Sequence, residues 1–234
     1  MENLHHTDTA VLVFANSAHE DVSLKQLGPN QHLFEALTEH TLKLVKATGL
    51  AYFVFTEKEQ KGATFGERFS NAIQQVFFKG YTKVITLGND SPLLTSNHIL
   101  IATTQLSEQH CILGPSTDGG FYLMGIHRNN FNLKSFAILP WQKNSLYQAA
   151  QCYFKANNCV VLALDRLSDI DSITDVKHFL NHIKTLGRKW IVLFSKVFQH
   201  CHRFFKIRFL SSQSIYRSAC FNKGSPFHFA QSII

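Results

Sequence analysis

Apolar and polar residues along the chain form blocks of two kinds. Short apolar runs of strand length occupy residues 10–15, 51–56, 83–87, 110–114, 120–126 and 159–165. Between them, apolar residues recur every three or four positions in residues 30–48, 65–80, 95–106, 145–157 and 172–183, which is the spacing of an amphipathic helix. Strands that are apolar throughout and alternate with helices are typical of a sheet buried on both faces. The pattern predicts an α/β fold with a mostly parallel central sheet and helices on both faces.

The charge of the chain is unevenly distributed between its main part and its C-terminal end. Residues 1–186 carry 15 Lys and Arg against 16 Asp and Glu, a balance of −1, whereas residues 187–234 carry 8 basic residues and no acid. The two parts add up to the net charge of +7. We therefore predict a domain over 1–186 and a basic, apolar extension over 187–234. The near-neutral main part argues against nucleic acid as a partner.

The extension contains a segment with the pattern of a basic amphipathic helix. Its apolar face comprises Trp190, Leu193, Val197, Cys201 and Phe204, with lysine and arginine interleaved. We favour a helix that packs on the domain or a poorly ordered extension of the domain. The alternative is a peripheral contact with an anionic membrane surface.

Cysteine usage and the N-terminal residues bear on the compartment. The five cysteines form no C-x-x-C pair, and their odd number does not suit a disulfide framework. The first residues lack a basic region followed by a long apolar run, and no stretch approaches the roughly 18 apolar residues of a membrane-spanning helix. We expect a cytoplasmic protein.

Acidic residues recur at the ends of the predicted strands. Asp90 follows the strand at 83–87, Asp118 lies between two strands, and Asp169 and Asp171 follow the last strand. In an open α/β sheet such positions surround the ligand. Carboxylates without neighbouring cysteine or histidine suit a hard divalent cation, Mg²⁺ or Mn²⁺, that is itself paired with phosphates.

Each of these acids also has a simpler interpretation. Asp90 lies in a Gly-Asn-Asp-Ser-Pro sequence and could serve the turn alone. Asp171 precedes a helix that it could cap, and Ser172 with Asp175 forms a capping box at the start of that helix. The glycines at 119 and 120 could form only a tight turn.

Several segments taken together resemble a known family. They are GATFGERFSNAI (62–73), TLGNDSPLLTSNHI (86–99), LGPSTDGGFYLMGI (113–126), LPWQ (139–142) and DIDSITDV (169–176). Over about residues 10–185 the chain resembles the bacterial radical-SAM/selenodomain-associated transferases, some of which are labelled arsenosugar-biosynthesis glycosyltransferases. The resemblance implies a Rossmann-like GT-A (nucleotide-diphospho-sugar transferase) fold. It also implies a nucleotide-sugar or nucleoside triphosphate substrate and a divalent metal.

The resemblance assigns the metal ligands residue by residue. Asp90 is similar to the last acid of a DxD-type metal motif, whose first acid is missing here, so that Asn89 is left to hydrogen-bond to the nucleotide. Asp171 is similar to the late acid that supplies the second ligand in related nucleotidyltransferases, with Asp169 as its alternate.

The same resemblance suggests the groups that bind substrate. Gly62, Gly66 and Arg68 fall where relatives contact the nucleotide. The segment Asp118-Gly119-Gly120 falls on the acceptor side, where Asp118 would act as general base on a sugar hydroxyl or position the acceptor.

One departure from the family pattern concerns the phosphates. Family members commonly carry a Lys-Thr-Arg-like stretch after the first strand, whereas ANSAHEDVSLKQL (15–27) offers only Lys25. Charge-assisted phosphate contacts are therefore fewer. Nucleotidyl transfer from a triphosphate suffers most from this loss, so glycosyl transfer is favoured. The alternatives are nucleotidyl transfer and a catalytically weakened nucleotide-binding protein.

Overall fold

The structure is a computed structural model that describes residues 8–25, 27, 30–181 and 187–199. The strands are β1 (Thr9–Phe14), β2 (Ala51–Phe55), β3 (Lys83–Leu87), β4 (His110–Pro115), β5 (Phe121–His127) and β6 (Val160–Ala163). The helices are α1 (Ala18–Leu24), α2 (Gln31–Ala47), α3 (Phe65–Phe78), α4 (Ser96–Gln105), α5 (Leu133–Ala137), α6 (Leu146–Ala156), α7 (Ile173–Asn181) and α8 (188–199), with a 3-10 helix at Arg128–Asn130.

The strands form one sheet in the order β2-β1-β3-β5-β4-β6. β1 pairs in parallel with β2 and β3, and β4 pairs in parallel with β6. β5 is antiparallel to both of its neighbours, β3 and β4. The predicted α/β class with a mostly parallel sheet is confirmed. The C-terminal ends of β1, β3 and β4 meet the N-terminal end of β5 at one edge, which gathers their loops there.

Both faces of the sheet are covered by helices. Alternate side chains of β1 enter different cores, since Leu12 packs with α3, α5 and α6, and Val11 and Val13 pack with α2 and α4. All six residues of β1 are buried. This two-sided burial explains why the strand is apolar almost throughout.

A third core joins the C-terminal helix to the rest of the protein. Trp190, Phe194 and Val197 of α8 are buried together with residues of α2 and α7, among them Phe34 and Phe179. The compact unit therefore continues past the predicted boundary at residue 186. For residues 187–199 this packing agrees with the first of the favoured interpretations, and it buries Trp190 and Val197 of the predicted apolar face. Cys201 and Phe204 lie outside the described residues.

Two short helices, α1 and α5, were not predicted from the pattern. α1 has seven residues and its buried residue is an acid, Asp21, while α5 has only five residues. Neither is long enough to display a helical apolar stripe. Within the described ranges, no helix combines the length and hydropathy that a membrane span requires.

Candidate active site

A cleft of about 840 Å³ opens at the edge where the ends of β1, β3, β4 and β5 gather. It is lined by more acidic than basic side chains. The acids are Glu20, Asp21, Glu57, Asp90, Asp118, Asp169 and Asp171, and the bases are Lys25, Arg68 and Lys143. An anionic ligand such as a diphosphate would need an added cation to be favourable in these surroundings.

Asp90 and Asp171 converge on the ammonium of Lys25. The Nζ atom lies 3.1 Å from Asp90 Oδ2 and 2.9 Å from Asp171 Oδ1, and it donates a hydrogen bond to the carbonyl oxygen of Ile170 at 3.1 Å. The predicted meeting of these two acids over one edge of the sheet is therefore present. The cation between them is one that the chain itself supplies.

Local structure fixes each carboxylate. Asp90 lies three residues after the end of the buried strand β3, and its carbonyl oxygen accepts a hydrogen bond from the Ile170 N–H at 3.0 Å, which ties the two segments together. Asp171 lies at the start of α7, where Asp175 Oδ2 accepts hydrogen bonds from the N–H groups of Asp171 and Ser172 at 3.2 and 2.8 Å. The predicted capping role of Asp175 is thus confirmed, and it holds the peptide of Asp171 in place.

Burial and charge shift the pKa values of these groups. Burial alone would lower the pKa of Lys25, but the carboxylates of Asp90 and Asp171 outweigh it and hold that pKa above its usual value. Burial raises the pKa of Asp171, and the charge of Lys25 opposes the shift. Burial and the charge of Asp90 raise the pKa of Asp169 to about 8. Lys25 therefore carries a full positive charge, and Asp169 is largely protonated at neutral pH.

Asp169 lies beside the pair without contacting Lys25. Its Oδ1 accepts a hydrogen bond from the hydroxyl of Ser91, which follows Asp90. The charges of Asp90 and Asp118 both contribute to its raised pKa, so the three carboxylates are close enough to interact. Asp169 therefore lies next to the contact that Asp90 and Asp171 make with Lys25.

Asp21 is a cleft residue that the sequence interpretation missed. It is buried on α1, and Asn16 Nδ2 donates a hydrogen bond to its Oδ1 at 3.2 Å. Burial raises its pKa, with the charge of Lys25 opposing the shift. The four-residue spacing of Asp21 and Lys25 was the available signal, because it places acid and base on one face of a helix.

The turn at residues 116–120 brings Asp118 to the cleft, close enough to Asp169 and Asp171 for its charge to raise the pKa of both. Asp118 is exposed, and its Oδ1 accepts hydrogen bonds from the Ser116 hydroxyl and from the Gly120 N–H at 2.9 Å. Its Oδ2 has no partner in the described part of the chain. Gly119 has φ +91°, and an added Cβ would lie 2.2 Å from the carbonyl oxygen of Asn144. Gly120 lines the cleft, whereas Gly119 anchors the turn to the loop before α6.

Asn89 is buried beneath the site. Its Nδ2 donates a hydrogen bond to the Thr38 hydroxyl at 2.8 Å, which links the end of β3 to α2. Asn89 therefore supports the cleft wall, and a contact with nucleotide stays a prediction.

Of the residues before and within α3 that were predicted to contact the nucleotide, some line the cleft and others do not. Arg68 lines the cleft, and its side chain makes one hydrogen bond to the described part of the chain, from its Nη1 to the Ala63 carbonyl oxygen at 3.4 Å. Gly62 and Gly66 do not line it. Gly66 instead lies against the loop before α6, since an added Cβ would be 2.0 Å from the Ala137 carbonyl oxygen and 2.4 Å from Trp141 Cδ1.

An aromatic shelf, formed by Phe65, Phe121 and Trp141, borders the cleft near Asp118. The ring centroid of Trp141 lies 5.7 Å from that of Phe65 and 5.9 Å from that of Phe121, and all three rings are partly exposed. Gln142, the next residue, lines the cleft with φ +61°, a left-handed conformation that is uncommon for a residue with a side chain. In the sequence, the segment LPWQ (139–142) was singled out only as one of the segments that resemble the transferase family, with no role assigned to it.

The cleft offers a divalent cation two carboxylates. Asp90 and Asp171 already hold one positive centre between them, and their oxygen donors suit Mg²⁺ or Mn²⁺. Among the described residues, no three His, Cys, Asp or Glu side chains are grouped as a complete metal site. The donor set therefore fits a cation that takes its remaining ligands from substrate phosphates and water, as Mg²⁺ commonly does.

Comparison with family models and curated proteins gives one partial match. The model of a bacterial family described as "Uncharacterized protein conserved in bacteria (DUF2064)" matches residues 30–143, just under half of the chain. No curated protein matches the chain.

Comparison with solved structures shows proteins of similar fold. A protein from Desulfovibrio desulfuricans G20 described as a "putative nucleotide-diphospho-sugar transferase" is 19% identical, with a TM-score of 0.65 over 83% of this chain and 98% of that chain. A Mycobacterium sp. strain JC1 homologue of M. tuberculosis rv0371c (12% identity, 78% and 100% covered, TM-score 0.44) is more distant. A glycosyltransferase involved in the glycosylation of the major capsid of PBCV-1 is also more distant. It is 14% identical, with a TM-score of 0.40 over 67% of this chain and 82% of that chain. These two are too distant to support any conclusion. The likeness to the D. desulfuricans protein shows that the chain has the nucleotide-diphospho-sugar transferase fold.

Proposed function

We propose that the protein is a glycosyltransferase that moves a sugar from a nucleotide-diphosphate donor with the help of a divalent cation, Mg²⁺ or Mn²⁺. The observation that carries the proposal is the convergence of Asp90 and Asp171, from distant parts of the chain, on a single cation in the cleft. Within this class we further propose the narrower type that the sequence resembles, a radical-SAM/selenodomain-associated transferase acting in the cytoplasm.

Some residues of the cleft would bind the donor, and others would act on the acceptor. Asp90 and Asp171 would hold the cation, which when bound neutralises the diphosphate as it leaves. Arg68 is weakly held in the cleft and is free to reorient toward a phosphate or ribose oxygen. Asp118 keeps Oδ2 available while Gly120 orients its Oδ1, so it can accept the proton of an acceptor hydroxyl.

The aromatic shelf supplies a surface for the sugar ring. The apolar face of a pyranose packs on an aromatic ring, and its hydroxyl groups need polar partners around that ring. Phe65, Phe121 and Trp141 provide the rings, and Asp118 and Gln142 stand beside them. The shelf thus supports binding of the donor's sugar ring beside Asp118.

The scarcity of basic residues favours glycosyl over nucleotidyl transfer and also favours a second candidate. Only Lys25, Arg68 and Lys143 line the described cleft as bases, and Lys25 is engaged with carboxylates. A triphosphate substrate would need more of them. The second candidate is a nucleotide-binding protein that has lost turnover.

Thermal denaturation with a panel of nucleoside diphosphates and nucleotide sugars, with and without Mn²⁺, tests the proposal. A ligand that binds the folded state raises Tm by mass action. We expect a Mn²⁺-dependent rise with at least one nucleotide, abolished by Asp90→Asn. Asp8→Asn, which removes a carboxylate paired with Lys83 outside the cleft, should retain the rise.

The same ligand then separates the two candidates. Release of nucleoside diphosphate from the donor sugar in single turnover, with a panel of sugars present whose hydroxyl groups can accept the glycosyl group, indicates a transferase. Binding without release indicates the nucleotide-binding protein. No shift with any nucleotide, in folded protein, overturns both.

A further inference from the structure

The Lys25 ammonium is fully occupied at the position where the proposed function requires a metal. Its three acceptors are Asp90 Oδ2 at 3.1 Å, Asp171 Oδ1 at 2.9 Å and the Ile170 carbonyl oxygen at 3.1 Å. An ammonium group has three donors, so none is left over for another ligand. The side chain is only 15% exposed. Lys25 is therefore a built-in counter-ion of the two proposed metal ligands.

Lys25 occupies one oxygen of each carboxylate, Asp90 Oδ2 and Asp171 Oδ1, so a divalent cation held by the same two acids would have to share them with the ammonium. Mg²⁺ binds carboxylate oxygens at about 2.0–2.1 Å, and a metal placed between Asp90 and Asp171 would lie against the Lys25 Nζ. Two positive centres at such a distance repel each other strongly in a partly buried site. The positive charge of Lys25 therefore opposes binding of the metal, and movement of the ammonium away from the two carboxylates would favour it.

We propose that Lys25 is a tethered competitor of the divalent cation, an inference that rests on the proposed function for the identity of the metal site. In the free protein its ammonium holds Asp90 and Asp171 and keeps metal affinity low. A nucleotide diphosphate offers the displaced ammonium new oxygen partners within the same cleft, so cation and nucleotide load together. Lys25 acts as a positioning residue that links the two binding events.

Titration of Mn²⁺ alone into the whole chain by calorimetry tests this competition. We expect Lys25→Met to bind Mn²⁺ about tenfold or more tightly than wild type, because a unit of repelling charge is removed. Lys83→Met, which removes a lysine paired with Asp8 at 3.4 Å outside the cleft, is the matched control and should bind as wild type does. The double variant Lys25→Met/Asp90→Asn should lose the gain.

Two results would overturn the proposal. One is a Lys25→Met affinity for Mn²⁺ equal to or below that of wild type. The other is the absence of Mn²⁺ binding in every variant at millimolar metal, which would leave Asp90 and Asp171 as purely structural partners of Lys25.

A second measurement needs no variant and covers the case in which Lys25→Met fails to fold. Reductive methylation of wild type, followed by mass spectrometry, reports how accessible each lysine is. Mn²⁺ should accelerate the labelling of Lys25 and leave that of Lys83 unchanged, whereas an unchanged rate at Lys25 overturns the exchange. Neither measurement uses nucleotide or turnover, so failure of the proposed glycosyl transfer would be seen separately.

Discussion

Asp90 and Asp171 contact the same atom, the Nζ of Lys25, at 3.1 and 2.9 Å. Asp90 comes three residues after the end of β3, whereas Asp171 lies two residues before α7, and three strands separate them along the chain. Their meeting makes the edge of the sheet a place where cationic charge is held. We therefore expect the stability of the protein to depend on this contact.

Replacing Lys25 by methionine should destabilise the free protein. Asp90 and Asp171 would lose their counter-ion, and a carboxylate left unpaired in a partly buried site is costly. Because Asp171 is half exposed, we expect the free energy of unfolding to fall by about 1–3 kcal/mol. Urea denaturation measures the change.

The matched control for this loss is Lys189→Met. Lys189 pairs with Glu39 at 3.4 Å on the surface, where both side chains are mostly exposed. Such a pair contributes about 0–1 kcal/mol. Equal effects of the two substitutions would contradict the special role assigned to the buried ion pair.

Gly66→Ala should damage the fold rather than nucleotide binding alone. Its Cβ would collide with the Ala137 carbonyl oxygen and the Trp141 ring, so α3 would have to move away from the loop before α6. We expect a loss of about 1–3 kcal/mol or more in the free energy of unfolding. Gly187→Ala, where an added Cβ meets nothing within 4 Å, should be close to neutral. A stable Gly66→Ala protein with impaired nucleotide binding would contradict the packing role.

Trp141 should report carbohydrate on the aromatic shelf. The chain has two tryptophans, so Trp190→Phe leaves Trp141 as the single emitter. With Mn²⁺ present, a nucleotide sugar should change its fluorescence more than the matching nucleoside diphosphate does, because only the former can cover the ring. The reciprocal variant Trp141→Phe retains the buried Trp190 and should show no such difference. Equal responses to both ligands would place the sugar elsewhere.

His40 should make the packing of α8 sensitive to acid. It is half-buried on α2, its ring packs edge-on against Trp190 at 5.2 Å, and its Nε2 lies 3.2 Å from the Leu94 carbonyl oxygen. Burial lowers its pKa below the ordinary value of about 6.5, and the charges of Lys189 and Lys43 act in the same direction. The unfolded chain therefore binds more protons near this pH than the folded protein does.

Stability from neutral His40 is complete above about pH 6.5 and is lost as the pH falls through the lowered folded-state pKa. Wild type should lose more stability than His40→Gln between pH 7.5 and 5 in urea denaturation. His32→Gln, at a side chain that is 94% exposed on the same helix, should follow wild type. Parallel curves for wild type and His40→Gln would refute the coupling.

The sheet and the acid edge were predictable because each depends on a local signal. A strand buried on both faces must be apolar, and β1 and β3 meet that condition. The carboxyl ends of parallel strands share an edge, which places Asp90 near the residues that precede α7. The same rule predicted that Asp118, in the turn between β4 and β5, would lie at this edge.

The rest depends on contacts that no local pattern contains. α1 is short and polar, so nothing in its sequence revealed that it would bring Lys25 to Asp90 and Asp171. A glycine that contacts a nucleotide and a glycine that makes room for Trp141 look the same in sequence, and Gly66 proves to be the second kind. The burial of α8 depends on a partner surface built by α2 and α7.

The capping box formed by Ser172 and Asp175 has two structural roles. The hydrogen bonds that begin α7 also hold the peptide of Asp171, so helix initiation and cation recognition draw on the same few atoms. A substitution that weakens the start of α7 would therefore also loosen the peptide that carries Asp171. Ser172 thus supports the ion pair with Lys25, although it is not among the residues that line the cleft.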